Sequence, residues 1–544
     1  MSFSTEMQAY IAKKHEVERR LDFPENFREL LDNASAKYSD KIAVNFFEQT
    51  TETGVGLQLT FSELHDKVYR LAQGLNLKGV TKGSHVAVMM SNRIEFPITW
   101  LAIGVLGAVM VPVNTSYTGS ELDYLINDSD SEFIVIEQQY LPVLDDMRAM
   151  PPNINTNNII AVDYQGHQFE QWHAVCALGE ADFRPDWSVN ADDLLNIQYT
   201  SGTTGFPKGC MQTQKYWILL GCVVDAMSPC PITNILTDHS FYYMDPQWQL
   251  VMSLHCGARL NVAGRLSASK FIGRIKRYDI DFAWIPRPLI GQVASPDDRN
   301  LPLKKLFIGG ASAESIVQLQ ERFGIKVSNA YGMTEIGPGL MVPDQISDPD
   351  ILGTCGLIAP FRECKIVLEN GNDATRLQPG ELWIRGDGIF NGYYNKPEAN
   401  ADAFVDGWFR TGDKFIQTEK GYFKIIGRFK DMIRRSSENI SALEIEYVLS
   451  QHPLIEQAAV VAVPDDYRGE EVKAYVLLNE LNNNLTPQQI IDYCQTRLAA
   501  FKVPRYLEFV HDFPYTATKK VAKHVLISTG VDLTKNSWDR NKHT

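Results

Sequence analysis

Tyr199-Thr-Ser-Gly-Thr-Thr-Gly-Phe-Pro-Lys-Gly209 packs four small hydroxyl side chains, three glycines and one cation into eleven residues. The hydroxyls are Thr200, Ser201, Thr203 and Thr204, the glycines Gly202, Gly205 and Gly209, and the cation Lys208. Glycines let a backbone turn sharply and bring its N–H groups close to a polyanion, while hydroxyls and an ammonium add donors. That composition suits a triphosphate. It is not a Walker A loop, because Lys208 follows Pro207 and precedes Gly209, where that loop has Gly and then Ser or Thr. A Ser/Gly/Thr surface turn has the same composition, so the stretch alone leaves both readings open.

Outward from this loop, strand-like runs alternate with helical stretches through the first four hundred residues. His85-Val-Ala-Val-Met-Met90 reads as a strand followed by a helix from Glu95 to Gly107, and Glu132–Glu137 and Asn158–Val162 read as further short strands. Such alternation predicts layered α/β structure with parallel strands. The apolar run from Ile98 to Val111 contains Gly104 and Gly107 and stops at Pro112. It is too short to span a bilayer and reads as a buried helix entering a strand. After Gly427 the scale changes. Helices are expected over Ala442–Gln451 and Pro487–Ala499, with strands over Ile455–Val463 and Glu471–Leu478. These make a small α+β unit, large enough for its own core. The expected division is residues 1–429 for a large N-terminal domain of α/β subdomains and 430–544 for a small mobile one.

The net charge is −14, from 52 Lys+Arg against 66 Asp+Glu. That argues against general affinity for nucleic acid or anionic membranes. The eight cysteines include no C-x-x-C pair and no cysteine–histidine cluster of zinc spacing. Free thiols in a reducing compartment are expected. With no signal-peptide core after Met1, the chain reads as cytoplasmic.

Several further segments fall in a telling order: Tyr331-Gly-Met-Thr-Glu335, Gly380-Glu-Leu-Trp-Ile-Arg-Gly386, Trp408-Phe-Arg-Thr-Gly-Asp413, Gly427-Arg-Phe-Lys-Asp431, and a lysine-bearing segment around Lys520. Together with the Tyr199–Gly209 loop they resemble the adenylate-forming superfamily of acyl-CoA synthetases, peptide-synthetase adenylation domains and luciferases. The resemblance extends over about residues 25 to 526. It implies attack of a carboxylate on the α-phosphorus of ATP, giving acyl-adenylate and pyrophosphate, then transfer of the acyl group to CoA.

The resemblance also assigns roles. Thr200, Ser201, Gly202, Thr203, Thr204 and Lys208 would hold phosphates, and Thr334 would donate to the α-phosphate. Glu335 would bind Mg2+, as a hard oxygen ligand suits that ion. Gly310, Ala311, Ala330 and Gly332 would border an adenine stacked on Tyr331. Asp413 would accept from both ribose hydroxyls, with Arg428 nearby. Lys520 would bridge carboxylate and α-phosphate, with Lys519 the alternate, since Lys519 replaces the usual glycine and Lys523 the usual arginine. Lys430 would be the hinge.

Two departures bear on the acceptor and the acid. Ser436 and Ser437 stand where relatives commonly have two glycines lining the path of CoA. Tyr242 stands in place of a histidine beside the acyl site, and Trp248 and Trp284 join it in an aromatic acyl pocket expected to contain the acids Asp238 and Asp245. Within the superfamily, Met432-Ile-Arg-Arg, Glu438-Asn-Ile and Phe501-Lys-Val-Pro-Arg-Tyr-Leu-Glu508 resemble carnitine/crotonobetaine-type CoA ligases. A small betaine-like acid, attracted by cation–π contact, and a short- or medium-chain acid are both open. So are an adenylate-forming enzyme that loads another acceptor and a non-catalytic nucleotide-binding protein. The expected partners are a small carboxylic acid, ATP and CoA, without nucleic acid or membrane insertion; a homodimer is left open.

Overall fold

The computed structural model describes residues 4–20, 22–50, 56–148, 151, 154–200, 207–286, 289–290, 292–309, 311, 313–344, 346–428, 432–436, 438–479, 485–514, 521–527 and 532–543. Four sheets form among them. A seven-stranded sheet runs in the order Glu170–Gln171, Ile159–Val162, Phe133–Glu137, His85–Met89, Val109–Pro112, Leu194–Thr200, Lys208–Thr213. Its pairs are parallel except the last, which is antiparallel and closes the phosphate-loop candidate between its two strands. A nine-stranded sheet carries the parallel strands Val327–Met333, Lys305–Ile308, Phe282–Trp284, Asn234–Thr237 and Arg259–Val262 near its middle.

The predicted strand–helix unit His85–Gly107 is present as the strand His85–Met89 and the helix Glu95–Leu106. Every residue of that helix is buried, which explains its lack of a polar face. One apolar cluster joins this helix to residues of both large sheets, among them Val86 and Leu195 on one and Val44 and Phe282 on the other. A buried polar chain crosses the same layer. Trp100 Nε1 donates to Asn196 Oδ1 at 2.8 Å, Asn196 Nδ2 to Gln247 Oε1 at 2.7 Å, and Gln247 Nε2 to the Phe241 carbonyl at 2.8 Å. It ties the strand leading into the Thr200 loop to the segment that starts the helix Met244–Cys256.

A five-stranded antiparallel sheet follows, built from Arg362–Val367, Gly380–Gly386, Trp408–Gln417, Phe404–Val405 and Phe423–Arg428. The small C-terminal domain has its own sheet and core. Ile455–Asp465 and Gly469–Leu478 pair as a long hairpin, Tyr506–Val510 adds in parallel, and the helices Ala442–Ser450 and Pro487–Gln495 pack on it around Ile433, Ile445, Val472 and Ile491. The expected boundary and the hinge Lys430 fall on residues 429–431, outside the described residues. No helix among the described residues is long and apolar enough to cross a membrane.

Candidate active site

The strands Leu194–Thr200 and Lys208–Thr213 pair up to Thr200↔Lys208, so these two residues are the posts of the loop. Lys208 Nζ lies 4.9 Å from the centroid of the Tyr393 ring. Ser201, Gly202, Thr203 and Thr204 lie outside the described residues, as do Gly310, Ser437, Lys520 and its alternate Lys519, and the side chain of Arg428.

Thr334 and Glu335 form the turn between the strands Val327–Met333 and Gly337–Met341. The turn is tight: a Cβ on Gly332 would lie 2.5 Å from the Gly337 carbonyl oxygen, and Gly337 itself has φ +62°. The Thr334 carbonyl accepts from the Gln212 amide at 2.8 Å and the Tyr216 hydroxyl at 2.9 Å. Glu335 Oε1 accepts from the Tyr393 hydroxyl at 2.9 Å, and the Glu335 carbonyl from Phe390 N–H at 2.8 Å. Burial raises the Glu335 pKa above the ordinary carboxylate range, against the opposing pull of the Tyr393 hydrogen bond. A buried carboxylate facing a cavity fits a hard cation, so Glu335 suits the expected Mg2+.

Tyr331 and Asp413, far apart in sequence, meet here. The Tyr331 hydroxyl donates to Asp413 Oδ2 at 2.7 Å, and Phe415 braces the Tyr331 ring edge-on at 5.0 Å. Asp413 pairs in register with Arg428 across the five-stranded sheet. A continuous cavity of about 2010 Å³ takes in Thr200, Lys208, Thr334, Glu335, Tyr331 and Asp413, with Ala311, Ala330 and Gly332 on its wall.

The same cavity continues into an aromatic recess. Tyr242, Trp248 and Trp284 all line it. Trp284 stacks on Phe307 with centroids 5.7 Å apart, and Trp248 Nε1 donates to Asp245 Oδ1 at 3.1 Å. Asp245 is on the lining, whereas Asp238 is buried behind it. His239 also reaches the cavity.

The small domain supplies the opposite wall, through Arg434, Ser436, Glu438, Asn439, Phe501 and Lys502. Ser436 ends the strand Met432–Arg435 with φ +57°, a conformation natural to the glycine its position resembles. The Tyr243 hydroxyl donates to Glu438 across the cavity edge. Lys502, buried, donates to Glu444 in its own domain at 2.7 Å and to Glu121 in the large domain at 2.8 Å. Of the C-terminal lysines, Lys523 is engaged with Glu446 at 2.8 Å.

Sequence reasoning missed Gln212, Tyr216, Arg362, Tyr243 and Tyr393. Each is a polar residue bonded to a partner 26 or more positions away, and no motif announces it. A faint signal exists for Tyr243, as the neighbour of Tyr242 in the expected acyl pocket.

The model of the AMP-binding enzymes matches residues 31–394, and that of their C-terminal domain matches residues 444–520. The crotonobetaine/carnitine–CoA ligase of Salmonella paratyphi A is 29% identical over 516 residues, covering 92% of this chain and 98% of the relative. Among solved structures, a double mutant of o-succinylbenzoate CoA synthetase from Bacillus subtilis, bound with a product analogue, superposes with a TM-score of 0.80 at 22% identity, covering 93% of this chain and 98% of that one. An amide bond synthetase from Marinactinospora thermotolerans gives 0.79 at 22% identity, covering 91% and 98%. A fatty acyl CoA synthetase of Mycobacterium tuberculosis gives 0.66 at 27% identity, covering 92% and 97%. The first two, at that identity, speak for the fold. With family models over most of its length, the chain belongs to the AMP-binding, adenylate-forming enzymes, a family of ligases that includes acid–CoA ligases.

Proposed function

We propose that this protein joins a carboxylic acid to CoA in two steps, using ATP. The observation that carries this reading is one cavity lined by the Thr200 and Lys208 posts, the Thr334–Glu335 turn and the Tyr331–Asp413 pair, with an aromatic recess beside them and Ser436 opposite. In the first step a carboxylate oxygen attacks the α-phosphorus, and the bond to the bridging oxygen breaks to release pyrophosphate. Two anions meet, so donors and cations have to offset their repulsion.

Lys208 with Thr200, Ser201, Gly202, Thr203 and Thr204 would hold the phosphates. Thr334 donates to the α-phosphate, and Lys520 bridges the two reacting anions. Glu335 would hold Mg2+, which when bound neutralises phosphate charge. Asp413, oriented by the Tyr331 hydroxyl, accepts from the ribose with Arg428 beside it, while Gly310, Ala311, Ala330 and Gly332 flank the adenine against Tyr331. In the second step the thiol sulfur attacks the acyl carbon, the thiol proton is lost and AMP leaves. The small domain, residues 430–544, turns about Lys430 between the steps, and Ser436 and Ser437 border the path of the thiol.

For the acid, Asp245 beside Trp248, with Trp284 and Tyr242 on the same recess, favours a small carboxylate bearing a quaternary cation. The crotonobetaine/carnitine ligase relative points the same way. The competing feature is Arg434: a Cβ on Gly309 would be 3.4 Å from both its guanidinium and the Trp284 ring, so a cation already borders the recess. A neutral short- or medium-chain acid is the second reading. The test compares a trimethylammonium carboxylate with its neutral isostere, following pyrophosphate release and CoA consumption together. The cationic acid is expected to lead by roughly ten- to thirtyfold in kcat/KM, and Trp284→Leu to erase that lead. A lead for the neutral acid sinks the cationic reading, and pyrophosphate release without CoA consumption sinks CoA as acceptor.

A further inference from the structure

Three consecutive carbonyls in the Thr334–Ile336 turn are each taken by a different element. Thr334 O accepts from Gln212 and Tyr216, Glu335 O from the Phe390 backbone, and Ile336 O from the guanidinium of Arg362. Arg362 Nη2 lies 2.9 Å from Ile336 O and Nε 3.1 Å from it. Its other N–H groups go to Gly388 O at 2.9 Å, Phe361 O at 3.2 Å and, in a short contact, Asp387 O. A guanidinium carries five N–H donors in a planar fork, and here every bond goes to a carbonyl.

Arg362 is 3% exposed, and burial draws its pKa down to about 10. No carboxylate among the described residues lies within salt-bridge distance of it. A buried cation held by carbonyls alone is costly, and a neutral donor would satisfy any one of them. What the fork does that a single donor cannot is join two loops at a set spacing. One is the turn bearing Glu335. The other, at Asp387–Gly388, runs on to Phe390 and Tyr393, which bind the backbone and the carboxylate of Glu335.

We propose that Arg362 is a positioning residue for Glu335, setting where its carboxylate stands by fixing the turn against the segment that carries Phe390 and Tyr393. The proposal rests on the reading of Glu335 given above. The test uses the full chain with Arg362→Lys and Arg362→Gln, alone and combined with Tyr393→Phe. Pyrophosphate release is followed against Mg2+ concentration, and Mn2+ binding with a non-hydrolysable ATP analogue is followed by electron paramagnetic resonance.

The expected result is a roughly 10- to 100-fold fall in kcat for pyrophosphate release, as for a reacting group misplaced by about an ångström. KM for the acid stays within about threefold. Mn2+ binding weakens by a similar factor, and the Arg362→Lys and Tyr393→Phe effects combine less than additively because both act through Glu335. Wild-type Mn2+ binding, or fully additive losses that fall equally on every substrate, would overturn the proposal. Should Arg362→Gln fail to fold, Arg362→Lys keeps the charge and carries the test. Glu335→Gln separates the two ideas: impaired Glu335→Gln with normal Arg362→Lys ends the positioning role alone, whereas normal Glu335→Gln ends the reading of Glu335 and this proposal with it.

Discussion

On the large-domain wall of the cavity, Thr334, Glu335 and Ile336 each have their carbonyl bound by neighbours in the same domain, and Asp413 is bound by Tyr331. On the small-domain wall, Glu438 meets Tyr243 and Lys502 meets Glu121 across the cleft. The first wall is over-determined by local bonds and buried in a sheet hairpin. The second reaches the large domain by long side chains. A wall fixed by many internal bonds keeps its geometry through a reaction, and one docked by a few polar contacts can part at modest cost. The contrast is what the proposed two-step reaction would need: rigid placement for the phosphate chemistry and a wall that can part to admit an acceptor.

The sharpest break should come on the rigid wall. Glu335→Gln keeps the volume and the Tyr393 contact but removes the charge, and pyrophosphate release should fall by about 10²–10³-fold. A loss below about fivefold would mean that this wall is scaffold. On the docked wall, Glu121→Gln preserves the cap of the helix Gly119–Asp128 while weakening the bridge to Lys502, which keeps Glu444. Transfer to CoA should slow by roughly five- to thirtyfold, the equivalent of about 1–2 kcal/mol, with pyrophosphate release within about twofold of wild type. Equal slowing of both half-reactions would erase the contrast.

Ser436→Gly tests the docked wall from within. Removing a Cβ at φ +57° should stabilise the protein by about 0.5–1 kcal/mol in denaturant unfolding, the relief of a left-handed serine less the extra freedom of an unfolded glycine. A destabilised variant would show that the serine side chain earns its place through a contact.

The smallest effect concerns pH. Burial raises the Glu438 pKa, opposed by the Tyr243 hydrogen bond and by the nearby Lys502, Arg435 and His239. The folded protein therefore binds this proton more tightly than the unfolded chain. Its contribution to stability is fully present below the unfolded carboxyl pKa and is lost as pH rises toward the raised folded value. Glu438→Gln cannot ionise, so its melting temperature should gain on wild type from pH 4 to pH 8. A difference that does not change with pH would show the carboxyl to be solvated.

Strands His85–Met89, Phe133–Glu137 and Ile159–Val162 and the helix Glu95–Leu106 were legible because their apolar runs are short, bounded and uninterrupted. Thr200, Lys208, Thr334, Glu335, Tyr331 and Asp413, singled out from their motifs, do come together on one cavity, because such glycine-, hydroxyl- and charge-bearing segments sit at strand ends and turns. Arg362 was not, since an arginine beginning an exposed-looking strand reads as surface charge. Tyr243 and Tyr393 were not, since a tyrosine beside another tyrosine usually fills a core.

By itself, then, the sequence determined the family, the layered α/β character and the local identity of each loop, because those are written in spacing and composition within one segment. Tertiary structure alone decided which loops share a wall. It set Tyr331 on Asp413, 82 residues apart, Tyr393 on Glu335, 58 apart, and Lys502 on Glu121, 381 apart. The physical reason is that a buried polar group has to find a partner somewhere, and the chain encodes the need at one position and the answer at another. Only packing the sheets brings the two together.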